Sequence, residues 1–167
     1  MKAVAGLDLS ITATGVAHSV EGAACWHLIR PKEKGDARLV VIRNQLREYV
    51  RGVELVLIEG YLNTSKSAGI TGMVHGAVRS MLLEEGIPYA TLPPSSLKKY
   101  ATGSGGSATD KRAMALAAYK RAEVEFTDDN TCDAWWLWVA ARDYLGVPPF
   151  NLPAVNRESL SKIKMEG

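Results

Sequence analysis

Cysteine is scarce in this chain: among 167 residues there are two, Cys25 and Cys132. Neither their number nor their spacing suits a disulfide framework or a paired-cysteine zinc site, so both are read as free thiols, in keeping with a reducing cytoplasm. Long apolar runs are missing as well. No window approaches the ~18 residues of a membrane helix, and Asp8 interrupts the apolar start "MKAVAGLDLS" where a secretory signal would continue. A membrane or exported protein is therefore not expected. Charge of one sign is not in large excess either, with a formal net charge of +2.

What remains has the composition of a folded domain, with 47% hydrophobic and 23% charged residues. The length suits one domain with a real core, taken as residues 1–150, followed by a polar tail over 151–167 that is expected to be loosely held. The charge is unevenly spread. Seven basic and three acidic residues lie between Arg30 and Arg51, and "SSLKKYATGSGGSATDKR" has four basic residues against one acid. If the acids gather elsewhere, the remaining surface is basic and fits a polyanionic partner.

Periodicity organises the chain. "KAVAGLDLSITATGVAHSV" reads as two strands around a small polar turn, and "AACWHLIR" as a third strand. Helical spacing covers 36–50. "ELVLIEGY" and "IPYATLPP" are short strands, separated by a helix over 65–85 that carries Met73, Ala77 and Met81 on one face. Gly69, Gly72, Gly76 and Ser80 form a small-residue stripe on that helix. They fit close packing of another helix, either within the monomer or across a homodimer interface. A short helix at 95–100, a Gly/Ser loop, a helix from Asp110 capped by Thr109, and a last core helix over about 130–145 complete an α/β domain with a mixed sheet.

Four acids are out of place. Asp8 sits inside an apolar strand and Glu59 ends another, where a buried charge costs several kcal/mol unless a cation or dense hydrogen bonding compensates it. In "TDDNTCDAWWLW", Asp129 and Asp133 lie one helical turn apart on a shared face, and Asp128 reads as a cap or an additional nearby charge. An oxygen-only set of this kind selects Mg²⁺ or Mn²⁺ rather than zinc. Two such ions would serve phosphodiester hydrolysis. Lys111 opens a helix, where an anion is favoured over a cation, so a docked phosphate would explain it; a solvated lysine is the alternative.

The order "GLDLSITATG", "LVLIEGY", "LPPSSLKKYATGSGGSATDKRAM", "DDNTCDAWWL" resembles the RuvC family of Holliday-junction resolvases, especially its short bacteriophage members, over residues 3 to 146. The resemblance implies an RNase H-like fold, with a mixed five-stranded sheet flanked by helices, in a bacterial or phage-infected cell. It implies a homodimer that nicks four-way DNA junctions symmetrically with two Mg²⁺ ions, Mn²⁺ being able to substitute. Asp8, Glu59, Asp129, Asp133 and Lys111 are its expected catalytic residues, with Asn130 a further candidate metal ligand. The family carries Asp or His where Asn130 stands, so Asp129 and Asn130 compete for the fourth place. Tyr61 and Leu62 match the segment that meets DNA near the branch point. Lys66, Lys98, Lys99, Lys111 and Arg112 are the expected basic DNA contacts. Other readings are an RNase H-like nuclease for flaps or RNA-containing substrates, a junction binder without cleavage, and, from "DLSITATG" alone, a phosphate-binding ATPase fold. The last lacks its second phosphate loop.

Overall fold

In the computed structural model, residues 2–61, 68–105 and 111–166 are described, without the side chain of Lys111. Strands β1 (Val4–Asp8), β2 (Thr14–Val20) and β3 (Ala23–Ile29) form an antiparallel meander. Glu21 and Gly22, both at positive φ, make the two-residue turn between β2 and β3, a backbone that matches the twist of paired strands. Helix α1 (Ala37–Tyr49) leads to β4 (Leu55–Glu59), which lies parallel to β1. Helix α2 (Ala68–Glu84) leads to β5 (Tyr89–Leu92), parallel to β4. There follow α3 (Pro94–Thr102), α4 (Lys111–Ala122), α5 (Asp129–Tyr144), the short α6 (Ala154–Arg157) and β6 (Lys164–Met165).

The sheet has the order β3-β2-β1-β4-β5-β6. It is thus mixed, as expected, but six-stranded rather than five-stranded. The sixth strand comes from the segment expected to be loosely held. That segment is polar because polar contacts hold it: Asn156 Nδ2 donates to the Tyr100 carbonyl at 2.8 Å, and Arg157 Nη2 meets Asp143 Oδ1 at 2.7 Å. Asp143 is buried and also accepts from the Tyr100 hydroxyl at 3.0 Å. Burial, and then the Asp143 charge, push the Tyr100 phenol well above its ordinary value, so the hydroxyl stays a donor. Antiparallel pairing with β5 and an ion pair from Arg79 to Glu166 at 3.1 Å complete the attachment.

Two cores lie on the two faces of the sheet. One holds Leu7, Val16, Val56 and Ile58 against Ile42 and Leu46 of α1 and Val74, Val78, Met81 and Leu82 of α2. The other holds Ala17, Leu57 and Leu92 against α3, α4 and α5. Met81 is buried while Met73 is 44% exposed, so these two do not share a face. At 100° per residue, eight residues drift by about 80°, and the buried stripe follows 74, 78, 81 and 82 instead.

Helix α5 is buried nearly all round, through Trp135, Trp136, Leu137, Trp138, Val139, Ala140 and Ala141. Both central indoles find acceptors: Trp136 Nε1 donates to the Met114 carbonyl at 3.1 Å and Trp138 Nε1 to Ser19 Oγ at 3.0 Å. Two glycines let this helix lie directly on the sheet. A Cβ on Gly6 would collide with the Ala134 carbonyl and the Trp138 amide, and one on Gly15 with the Asn130 carbonyl. Backbone contact at those points fixes where the first turns of α5 sit over β1 and β2.

Candidate metal centre

Asp8 is the last residue of β1 and Glu59 the last of β4. The parallel register sets Leu7 beside Ile58, so the two acids stand one step further along neighbouring strands, on the face opposite those apolar residues. That face is the one α5 covers. With Gly6 under Ala134, the adjoining Asp133 comes down beside the strand ends. One carboxylate oxygen from each of Asp8, Glu59 and Asp133 lies within 4.8 Å of the other two. All three residues are partly buried. The turn beyond Asp8 is closed from within: Thr14 Oγ1 donates to the Ser10 carbonyl at 2.7 Å, and the Ser10 amide donates to Thr14 Oγ1 at 3.1 Å.

The donor set fits a hard divalent cation. Mg²⁺ at about 2.0–2.1 Å from its oxygens places neighbouring ligands about 3 Å apart and opposite ones about 4.2 Å apart. The 4.8 Å ceiling on the separations of the three carboxylate oxygens lies just above that range. No histidine or cysteine belongs to this group, which leaves oxygen chemistry and disfavours zinc. The negative field is felt nearby. The Cys132 thiol is pushed up to about 12 by burial first, and then by Asp133 and Asp129, so it stays protonated and inert.

Asp129 is the first residue of α5, but the converging trio does not include it. The Asn130 carbonyl rests over Gly15 and its amide is held by Asp128. Asp128 is the cap: its Oδ1 accepts from the amides of Asn130 at 2.9 Å and Thr131 at 3.2 Å. Arg30 reaches the other oxygen at 3.3 Å from an exposed position, which adds little. Asp128→Ala is expected to cost about 1 kcal/mol by chemical denaturation, the usual loss for an N-cap.

The expected DNA contacts come from several different elements. Tyr61 lies two residues beyond Glu59, 38% exposed, with its ring 4.6 Å from that of His75. Lys98 and Lys99 are on α3, and Lys99 Nζ is held by Glu158 at 2.8 Å. Arg112 is exposed on α4, and Lys111 supplies the first residue of that helix. Leu62, Lys66 and the Thr109 cap with Asp110 lie outside the described residues.

A cleft beside Gly60 and Tyr61, lined by His75, Arg79, Thr91 and Glu166, was not foreseen. Its residues come from α2, β5 and the C-terminal segment, and no local spacing links them; an imidazole and a guanidinium one turn apart on α2 were the single available signal. Burial, and then Arg79, lower His75 from its ordinary 6.5 to about 4. The unfolded chain therefore takes up this proton more readily than the folded one. Stability should be full above about pH 6.5 and fall as pH drops toward 4, and His75→Leu should remove that part of the pH dependence in denaturation curves.

No family model and no curated protein matches this chain. Solved structures do. Thermus thermophilus RuvC superposes with a TM-score of 0.70 at 23% identity, over 87% of this chain and 97% of that one. T. thermophilus RuvC in complex with a Holliday junction substrate gives 0.68 at 19% identity, over 88% and 98%. The fold of this chain is therefore the RNase H-like fold of RuvC, with one strand more than the expected five.

Proposed function

We propose that this chain is a divalent-metal-dependent endonuclease that resolves four-way DNA junctions by paired nicking. The convergence of Asp8, Glu59 and Asp133 within 4.8 Å, at two strand ends and one helix of a RuvC fold, carries this reading. A T. thermophilus RuvC of that fold has been solved with a Holliday junction substrate.

In this reading Asp8, Glu59 and Asp133, joined by Asp129 or Asn130, hold two Mg²⁺ ions, with Mn²⁺ as an effective substitute. When bound, the ions supply Lewis acidity toward the scissile phosphate and a more acidic attacking water. The protein's own contribution is placement. Gly6 and Gly15 fix α5 against the strands, so the carboxylates are in position before DNA arrives. Lys111, at the start of α4, neutralises the phosphate, and Lys66, Lys98, Lys99 and Arg112 follow the backbone of the arms. Lys99 exchanges Glu158 for phosphate as it does so. Tyr61 and Leu62 lie at the branch point, where an aromatic face can stack on an exposed base.

The active form is a homodimer, because paired nicks on two strands need two centres. Helix α2 suits that interface. Ile70, Met73 and Leu83 are 48%, 44% and 59% exposed on it, and a Cβ on Gly69 or Gly76 would meet nothing within 4 Å among the described residues. The stripe is thus open toward a second helix at Gly69 and Gly76, while Tyr61 packs over Gly72 between them.

The test is a substrate panel: an immobile four-way junction, a flap, an RNA–DNA hybrid and linear duplex, each with Mg²⁺. Preferential paired nicking of the junction is expected. Cleavage of flaps or hybrids in its place would transfer the fold to another nuclease activity. Junction binding should weaken steeply between low and moderate salt as counterions are released, and a flat response would remove the phosphate contacts from this account.

A further inference from the structure

The β2–β3 hairpin carries a second group of metal-binding side chains. His18 is paired with Cys25 across the antiparallel ladder, and His27 is two residues further along β3, opposite Val16. Alternation along the strands puts all three on one face of the sheet. It is the α1 face, since His18 pairs with Ala5, whereas Asp8 and Gly6 face α5. The hairpin cluster and the carboxylate centre therefore lie on opposite sides of the sheet.

One potential ligand atom from each of His18, Cys25 and His27 lies within 4.8 Å of the other two. Cys25 Sγ and His27 Nε2 are 3.4 Å apart. A tetrahedral zinc, about 2.0 Å from nitrogen and 2.3 Å from sulfur, sets that separation at about 3.5 Å. Tyr49 of α1 covers the group: its ring stacks on His27 at 4.6 Å and leans on His18 at 5.1 Å. A thiol–imidazole hydrogen bond accounts for Cys25 and His27 alone. It leaves His18 Nε2, which is buried and has no hydrogen-bond partner among the described residues. A cation shared by the three side chains accounts for all of them, including why two imidazoles pack 5.5 Å apart.

We propose that His18, Cys25 and His27 form a binding site for one borderline-soft divalent transition-metal ion of the zinc class, separate from the hard-cation centre. On binding, two imidazole nitrogens and the Cys25 sulfur donate to the ion, and the thiol proton passes to solvent. A fourth position is left for water or a small ligand. The ion ties β2, β3 and the covering Tyr49 into one unit at the sheet edge.

The experiment uses the full-length, fully reduced protein with excess Mg²⁺ to fill the carboxylate centre. Co²⁺ is added as a probe and then displaced by Zn²⁺. One equivalent of Co²⁺ should produce a thiolate-to-cobalt charge-transfer band with visible bands of tetrahedral intensity, and Zn²⁺ should abolish both. Cys25→Ser should lose the charge-transfer band, Cys132→Ser should keep it, and His18→Ala should bind Zn²⁺ at least about tenfold more weakly. Wild-type protein that shows no charge-transfer band would overturn the proposal, whatever the variants do. So would a band that survives in Cys25→Ser. Because the readout is spectroscopic and on the other face of the sheet, it stands independently of any nuclease activity.

Discussion

Asp8→Asn is expected to slow junction nicking by about a hundredfold to a thousandfold, the scale lost when a preorganised contact to the transition state is removed, while junction binding stays largely intact. The substitution keeps the shape of the side chain and removes its charge. Leu7 remains packed below it and the β1–β4 register is unaltered, so the strand end has no reason to move. What changes is the trio's ability to hold a cation, because the amide oxygen is a much weaker ligand than a carboxylate. In the proposed reading DNA affinity rests on phosphate contacts elsewhere, which removal of one negative charge would not weaken. Single-turnover nicking and gel-shift binding in EDTA measure the two effects separately. Full activity in this variant would remove Asp8 from the mechanism.

Trp136→Ala is expected to destabilise the fold by about 3–5 kcal/mol, the range for truncating a large buried aromatic. At this chain length that lowers the thermal midpoint by about 6–20 °C. Trp136 is fully buried at the centre of the α5 face, in edge contact with Tyr100, Trp135 and Phe150. Truncation leaves a cavity on that side and removes the indole hydrogen bond to the Met114 carbonyl. Trp136→Phe should cost clearly less, since it keeps most of the buried volume. Trp136 is not one of the converging carboxylates, so folded protein at low temperature should retain its cleavage rate. A loss of activity that exceeds the loss of folded protein would mean that α5 has shifted over Gly6.

Both predictions rest on features visible in the sequence, for a physical reason. An acid within an apolar run is an anomaly that strand alternation cannot absorb, so Asp8 and Glu59 stand out before any coordinates exist. Asp133 stands out because three tryptophans follow it almost at once. Where the strands end and α5 begins was legible to within one or two residues, since apolar periodicity dictates those positions.

Other parts were hidden because they depend on contacts far apart in the chain. The C-terminal segment is attached through Asn156, Arg157 and Glu166, polar residues that look like solvated surface until Tyr100, Asp143 and Arg79 are seen opposite them. A two-residue strand carries no pattern of its own. Cys25 was set aside because it lacks a second cysteine at zinc spacing. The partners that matter come from strand register, with His18 across the ladder and His27 two residues on, and local spacing rules cannot see that relation. The competition between Asp129 and Asn130 was legible as a question. The trio at the strand ends leaves it to be answered by metal binding in Asp129→Asn and Asn130→Ala.

The most direct test of the central claim, that Asp8, Glu59 and Asp133 form a cation centre for phosphodiester cleavage, starts from protein bound to an end-labelled four-way junction in EDTA. Excess Mg²⁺ is then added to the preformed complex. Paired nicks at symmetric positions across the junction, lost in Asp8→Asn, are the predicted result. A wild-type complex that forms in EDTA and remains uncut after Mg²⁺ or Mn²⁺ would contradict the account and leave a junction-binding module without cleavage.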